Sequence, residues 1–166
     1  MIDNLAALRD ELRRNARGGN FTALENIHLT LVFLGECDEA RASDAKRAMD
    51  ETPFPPLPVA IDRTGRFKRD GGDIWWAGVR ESGPLTNFQR ALSGNLAARG
   101  FLLEKRGFSP HITLGREVVI SPDYKAAAFQ PFGMTAASVE LMQSERIGGK
   151  LLYKPIHSIF VKAPSA

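Results

Sequence analysis

The chain has 166 residues, which is within the usual length of one domain and enough to bury a sizeable core. Its composition, 43% hydrophobic and 25% charged, is typical of a soluble globular protein, and it has no apolar run of about 18 residues that could span a membrane. The net charge of +3 is compatible with a polyanionic partner, and the single cysteine, Cys37, excludes an intramolecular disulfide framework. Because the N-terminal residues lack the layout of a signal peptide, a cytoplasmic location is expected.

Helical and strand periodicities alternate along the chain. Leu5, Leu8 and Leu12 form the stripe of a first helix, Asp38 is suited to be the N-cap of a second, and Gly100 ends a third. The predicted helices cover residues 3–15, 38–49 and 85–96. The predicted strands cover residues 27–34, 59–64, 74–79, 101–104, 110–115, 135–143 and 151–161. This order predicts an α+β fold with antiparallel pairing rather than a doubly wound parallel sheet.

Two connections between these elements contain glycine pairs. Glycines 18 and 19 are expected to break the pattern after the first helix, and residues 20–26 are expected to connect it to the first strand. The segment 65–72, bounded by glycines, predicts a hairpin-like connection that carries several cations.

Two four-residue motifs stand out, His28-Leu29-Thr30-Leu31 and His111-Ile112-Thr113-Leu114. Side chains two apart on a strand share a face, so each motif offers an imidazole beside a hydroxyl while its apolar residues point towards a core. The two copies suit chemistry at a cyclic phosphodiester. Histidine, with an unperturbed pKa near ~6.5, can donate or accept a proton, and threonine hydroxyls can hold phosphate oxygens.

One copy of this pattern could simply be a partly exposed strand with polar residues on one face. The presence of two copies favours a functional pair of histidines. We therefore predict His28 and His111 as catalytic residues and Thr30 and Thr113 as phosphate-binding residues. A zinc site is the main rival, but the sequence lacks both the His-Glu-x-x-His and the Cys-x-x-Cys pattern, and no metal or cofactor is predicted. His157 is interpreted as structural.

Basic and aromatic residues give less specific signals. Arg116 directly follows the second motif and is predicted to approach the phosphate, the alternative being a salt bridge with Glu117. For Arg106, two residues before Phe108, the same two alternatives of phosphate contact and salt bridge are open. Other cations could follow an RNA backbone or simply be solvated: Arg63, Arg66, Lys68 and Arg69. Five aromatic residues could stack on a base or belong to the core: Phe67, Trp75, Trp76, Phe108 and Tyr153. Cys37 is interpreted as a small apolar filler.

Residues 25–36 and 108–116 closely resemble the two signature segments of the two-histidine phosphoesterases, and among these the bacterial and archaeal RNA 2′,3′-cyclic phosphodiesterases, also called 2′-5′ RNA ligases. The closing segment, with Ser144, Gly148-Gly149-Lys150 and Tyr153, resembles their C-terminal pattern. The resemblance implies one two-lobed α+β domain over residues 1–166, with pseudo-two-fold symmetry. Two mainly antiparallel sheets with helices outside them would flank a central active-site groove.

The same resemblance implies metal-independent hydrolysis of RNA 2′,3′-cyclic phosphate ends to 2′-phosphomonoesters. His28 would be the general acid that protonates the leaving 3′ oxygen, and His111 the general base that takes a proton from water. Thr30 and Thr113 would hold the phosphate. Some members also join RNA ends through 2′-5′ linkages without ATP.

In one respect the chain departs from the family, whose members usually begin with an apolar strand, whereas this chain opens with a helix. A strand is expected to be missing from one lobe, which would leave an exposed sheet edge able to pair with another chain. No obligate protein partner and no membrane contact are expected.

Two other functions remain open at this point. The chain could be an RNA-binding module with little catalysis, or it could apply the same chemistry to a non-RNA cyclic phosphate or a 2′-5′ oligonucleotide.

Overall fold

A computed structural model of the protein describes residues 1–161. This part of the chain forms two compact units, each built from interleaved segments. The first unit comprises Met1–Thr30, Val59–Arg80 and Ser109–Met134, and the second comprises Leu31–Pro58, Glu81–Phe108 and the residues from Thr135 onward. No helix among residues 1–161 is long and apolar enough to cross a membrane.

Helices and strands are both present in the described chain. The helices are α1 (Ile2–Asn15), α2 (Glu39–Asp50) and α3 (Gly83–Ala98), with a 3₁₀ helix at Leu24–Asn26. The strands are β1 (Ala16–Phe21), β2 (Leu57–Phe67), β3 (Asp73–Val79), β4 (His111–Ile120), β5 (Phe132–Ala136), β6 (Ser138–Ile147) and β7 (Lys150–Phe160). They form a five-stranded sheet, β1-β4-β3-β2-β5, and a two-stranded sheet, β6-β7. The α+β fold with two mainly antiparallel sheets is therefore confirmed.

The five-stranded sheet organises the first unit. β4 pairs antiparallel with β1 on one side and with β3 on the other. Helix α1 packs against β1 and β4, and its predicted stripe of Leu5, Leu8 and Leu12 is buried. Full burial of each such leucine contributes roughly 1.5–3 kcal/mol, so this packing helps to fix the position of β4.

The second unit contains α2, α3 and the two-stranded sheet. The predicted N-cap of α2 is confirmed, since the Asp38 carboxylate accepts a hydrogen bond from the Arg41 backbone N–H at 2.8 Å. Helix α3 ends before Gly100, whose φ of 77° lies in the left-handed region that terminates helices. Helix α2 packs against α3 and contacts β7. Pairing of a sheet edge with another chain stays a prediction.

Two predictions about local structure are wrong. The glycine pair at 18 and 19 does not end regular structure, because Ala16–Phe21 forms edge strand β1 and its pairing with β4 overrides the low strand propensity of glycine. Residues 101–104 form no strand. Phe101 is buried under the Arg41 guanidinium, 3.8 Å from its ring centroid, and Leu102 is 98% exposed, so no neighbouring strand supports this run.

The first motif also differs from its prediction. Residues 27–34 do not form a regular strand; within this run only Leu29 makes a β-bridge, to Ile112. Phe33, which lies beyond that bridge, is 70% exposed because the ladder does not continue to it. The hairpin predicted at 65–72 is shorter than expected, since β2 runs on to Phe67.

Candidate active site

The histidine and threonine of both motifs lie in the first unit, where the motifs meet through one β-bridge. Leu29 of the first motif pairs antiparallel with Ile112 of the second. Paired residues point to the same face of a sheet, and Ile112 is buried at 4% exposure. The residues on either side of this bridge therefore point the opposite way, so the polar residues of both motifs share one face.

Antiparallel geometry sets the order of the four polar side chains on that face. Counting outward from the bridge, His28 lies beside Thr113, and Thr30 lies beside His111. The two histidines are therefore diagonal neighbours. The backbone positions of diagonal pairs of this kind are separated by roughly 7–8 Å, close enough for both side chains to reach one phosphate. His28 and Thr30 are exposed, whereas His111 and Thr113 are half-buried.

Both imidazoles are held in the same way. His28 Nδ1 lies 2.7 Å from the backbone oxygen of Asn26, and His111 Nδ1 lies 2.8 Å from that of Ser109. A carbonyl oxygen can only accept a hydrogen bond, so Nδ1 carries the hydrogen in each ring. Nε2 is then an acceptor in the neutral ring and a donor in the imidazolium. Each histidine is thus set up to exchange a proton through Nε2.

These two carbonyl groups were not part of the sequence prediction. In each case the oxygen belongs to the residue two positions before the histidine, so the similarity of the two motifs extends two residues upstream of each histidine. Backbone atoms give no signal in a side-chain pattern.

Two aromatic residues pack against the His111 ring. The Phe67 ring meets it edge-on at 5.2 Å between centroids, and the Trp76 ring lies 6.2 Å away. Phe67 and Trp76 also contact each other, with centroids 5.4 Å apart. Trp75 precedes Trp76 in β3 and is buried. Because successive residues of a strand alternate, Trp75 points to the face opposite His111. Phe67 and Trp76 therefore restrict the orientation of His111.

The indole of Trp76 lies over Gly65 on the neighbouring strand. A Cβ at position 65 would overlap the six-membered ring of Trp76. We predict that Gly65→Ala destabilises the protein by about 1–3 kcal/mol, because the indole must move from its packed position. Thermal unfolding measures this, together with the NMR signals of the His111 ring, which should shift.

Gly94→Ala in α3 is the matched control for that substitution. No heavy atom lies within 4 Å of a Cβ at this position, so the added methyl should be neutral or stabilise the helix by up to about 1 kcal/mol. A Gly65→Ala variant that unfolds at the wild-type temperature with unchanged His111 signals would contradict the packing role of Trp76.

Arg66 and Arg69, two of the four cations predicted to follow an RNA backbone, and Arg106 each contact other groups of the protein. Arg66 forms an ion pair with Asp73 at 2.9 Å and lies over the Trp75 ring, on the face opposite His111. The Arg69 guanidinium donates to the backbone oxygen of Lys68. Arg106 belongs to the second unit and pairs with Glu104 at 2.7 Å.

Arg116 is exposed on β4, three residues after Thr113. The alternative salt bridge with Glu117 is not formed, and the Glu117 carboxylate accepts a hydrogen bond from the Asn20 amide at 2.6 Å. Across residues 1–161, Arg116 makes no ion pair. Its role at a phosphate stays a prediction.

The remaining candidate residues, His157 and Cys37, belong to the second unit. His157 belongs to the second unit, where Nε2 lies 2.7 Å from Asp50 Oδ1, a contact that fits a structural role. The interpretation of Cys37 as an apolar filler is wrong, since Cys37 is exposed. Within the described part of the chain, no group of three or more His, Cys, Asp or Glu residues is arranged to hold a metal ion.

Comparison with known proteins identifies the family of this site. Residues 1–76 match the sequence model of the LigT-like phosphoesterases. An RNA 2′,3′-cyclic phosphodiesterase of Aeropyrum pernix is 31% identical over 118 residues, which are 70% of this chain and 67% of that protein. The enzyme of the same name from Archaeoglobus fulgidus is 34% identical over 93 residues, which are 55% of this chain and 52% of that protein. The chain thus spans about half to two thirds of the length of these relatives.

A solved structure agrees with the fold. The structure of Escherichia coli LigT complexed with 3′-AMP superposes with a TM-score of 0.77 at 23% sequence identity, covering 95% of this chain and 93% of that one. Together with the Aeropyrum relative, this confirms the resemblance drawn from the two histidine motifs. The chain belongs to the LigT-like phosphoesterase family, within the two-histidine phosphoesterases.

Proposed function

We propose that this protein hydrolyses 2′,3′-cyclic phosphate ends of RNA to 2′-phosphomonoesters without a metal ion. The observation that carries the proposal is the arrangement of the two motifs on one face, joined by the Leu29 to Ile112 bridge, with each imidazole held at Nδ1 by a backbone carbonyl. The relatives named RNA 2′,3′-cyclic phosphodiesterase support the substrate class.

The proposed reaction divides two proton transfers between the histidines. Neutral His111 accepts a proton at Nε2 from water as the water oxygen forms a bond to phosphorus. The bond from phosphorus to the 3′ oxygen breaks, and His28 in its imidazolium form donates a proton from Nε2 to that oxygen. The product carries its phosphate on the 2′ oxygen, and exchange with solvent restores both rings. Each well-placed transfer contributes roughly 10²- to 10⁴-fold to the rate.

Thr30 and Thr113 are proposed to bind the non-bridging phosphate oxygens. Each hydroxyl lies beside the histidine of the other motif, so the two donors flank the same space as the two rings. Hydrogen bonds aimed at oxygens that gain charge stabilise the transition state more than the ground state. Arg116, exposed and without an ion pair in residues 1–161, is proposed to add a positive charge at the same phosphate.

The test is turnover of a nucleoside 2′,3′-cyclic phosphate in the presence of EDTA. We expect hydrolysis to continue at an undiminished rate and to give only the 2′-monophosphate. We also expect a bell-shaped pH profile, because His111 must be neutral and His28 must be protonated in the active form. Loss of activity in EDTA that zinc restores, or formation of the 3′-monophosphate, would contradict the proposal.

A further inference from the structure

Arg63 of β2 is brought into an unexpected position by a change of register. Ile61 pairs with Val79 on β3, whereas Arg63 pairs with Gly78. Two steps along β2 therefore match only one step along β3. Asp62 is the extra residue of a β-bulge, a feature that redirects the side chains next to it.

The bulge decides which face of the sheet Arg63 occupies. In regular pairing Arg63 would lie opposite Ala77, which is fully buried in the core. Instead it shares a face with Gly78, which pairs with His111 on β4. Neighbouring strands lie ~4.8 Å apart, so the row from Arg63 to His111 spans on the order of 10 Å between Cα atoms.

The side chain of Arg63 extends along this row across Gly78. A Cβ at position 78 would lie 2.6 Å from Arg63 Cγ and 3.1 Å from the guanidinium carbon, so only glycine leaves room for the side chain there. The guanidinium therefore lies over β3, between its own strand and the strand of His111. This brings a cation to the histidine face that the sequence pattern did not single out from its neighbours.

An acidic residue anchors Arg63 without cancelling the positive charge of the cluster. The Asp62 carboxylate accepts hydrogen bonds from Arg63 Nη1 at 2.8 Å and from Arg80 Nε at 3.0 Å. The hydrogen bond from Arg80, joined by that from Arg63, holds the pKa of Asp62 below its ordinary value against the opposing effect of burial. One carboxylate between two guanidinium groups leaves a net charge of +1. The Arg63 side chain is 47% exposed and can reach a ligand.

We propose that Arg63 binds a second phosphate of the substrate, the phosphodiester that joins the terminal nucleotide of the RNA end to the nucleotide before it. The proposal rests on the proposed function, which sets the cyclic phosphate between His28 and His111. The preceding phosphate lies one nucleotide away, and Arg63 is the cation next to His111 in the same row. Its planar group suits a phosphodiester, to which it can donate two parallel hydrogen bonds. Arg63 would then favour oligonucleotides over mononucleotides.

The experiment compares a nucleoside 2′,3′-cyclic phosphate with a dinucleotide that ends in the same group. The quantity measured is the ratio of kcat/KM for the dinucleotide to that for the mononucleotide. Arg63→Ala should lower this ratio about tenfold, the size expected for one partly exposed charged contact. Arg80→Ala is the matched control, since it removes a guanidinium from the same carboxylate, and it should leave the ratio unchanged. An equal ratio in wild type and Arg63→Ala would overturn the proposal.

Gly78→Ala provides a second variant that displaces Arg63 without removing its charge. The added methyl meets a flexible side chain rather than backbone, so the fold should tolerate it. The ratio should fall as it does in Arg63→Ala. A wild-type ratio in Gly78→Ala, with unfolding at the wild-type temperature, would count against the position assigned to the guanidinium.

Binding measurements separate this proposal from the proposed function. Calorimetry with a nucleoside 2′-monophosphate and a dinucleotide ending in 2′-phosphate gives the same comparison without turnover. If wild type turns over neither cyclic substrate, the proposed function fails, and the ratio of dissociation constants still decides the role of Arg63. Loss of the contact should also reduce the slope of log Kd against log salt for the dinucleotide by about 0.7. An unchanged slope and ratio in Arg63→Ala would overturn the role.

Discussion

Replacing either motif histidine should lower kcat for a nucleoside 2′,3′-cyclic phosphate by roughly 10²- to 10⁴-fold. His111→Ala removes the group that accepts the proton of water, and His28→Ala removes the group that protonates the leaving oxygen. His28 is exposed, so His28→Ala should unfold near the wild-type temperature. His111→Ala, in contrast, should lose about 1 kcal/mol of stability because the half-buried ring packs against Phe67 and Trp76. Steady-state kinetics of the purified variants, with thermal unfolding in parallel, measure the two effects.

His157→Ala is the control for these variants. Its ring contacts Asp50 in the second unit and takes no part in the proposed reaction, so its loss should leave kcat within about twofold of wild type, as surface substitutions usually do. The pH profiles should also separate the two roles. His111→Ala should lose the rise on the acid side, and His28→Ala should lose the fall on the alkaline side. Full activity in either motif variant would refute the assignment.

Leu114→Ala should cause the largest loss of stability among the substitutions considered. Leu114 is 0% exposed and lies on the strand that carries His111 and Thr113. Its truncation leaves a cavity in the core, and such changes cost about 2–5 kcal/mol in the free energy of unfolding. Denaturant titration measures this loss, and kcat of the molecules that remain folded should stay close to wild type.

Leu102→Ala makes the same chemical change at a position that is 98% exposed. It should alter the free energy of unfolding by no more than about 0.5 kcal/mol, as is usual at the surface. Similar stability losses in the two variants would mean that Leu114 does not lie in the core of this sheet.

Local patterns predict the parts of the fold whose signals lie in neighbouring residues. The leucine stripe of α1 is buried as predicted, and Asp38 caps α2. The alternation around His111 correctly predicts strand β4, because Ile112 and Leu114 are buried and the histidine is not. These elements form because one of their faces is buried, and the spacing of apolar residues along the sequence indicates which face that is.

Elements that depend on a distant partner are not predictable in this way. Ala16–Phe21 has the composition of a loop and becomes strand β1 only because β4 pairs with it. Conversely, the alternation of residues 27–34 predicts a strand, and the structure has a single bridge at Leu29. In both cases, pairing with a neighbouring strand determines whether the segment forms a strand, and the strand propensity of its own residues does not.

The candidate site likewise has a part that the sequence predicts and a part that depends on contacts between distant residues. Repetition of His-x-Thr indicates the chemistry, since the side chains that perform it are in the sequence. The carbonyl groups that fix the imidazoles and the bulge that turns Arg63 towards His111 arise only on folding. The cations of 63–69 look equivalent in sequence, yet Arg66 faces away from the histidines because of its position in β2.

In the proposed reaction, one phosphate lies between the rings of His28 and His111. Nitrogen NMR of the imidazole side chains, titrated with uridine 2′-monophosphate, tests it directly. We predict that the Nε2 signals of both His28 and His111 shift with one common dissociation constant, while that of His157 does not move. A shift confined to one of the two motif histidines, or two different dissociation constants, would contradict the account.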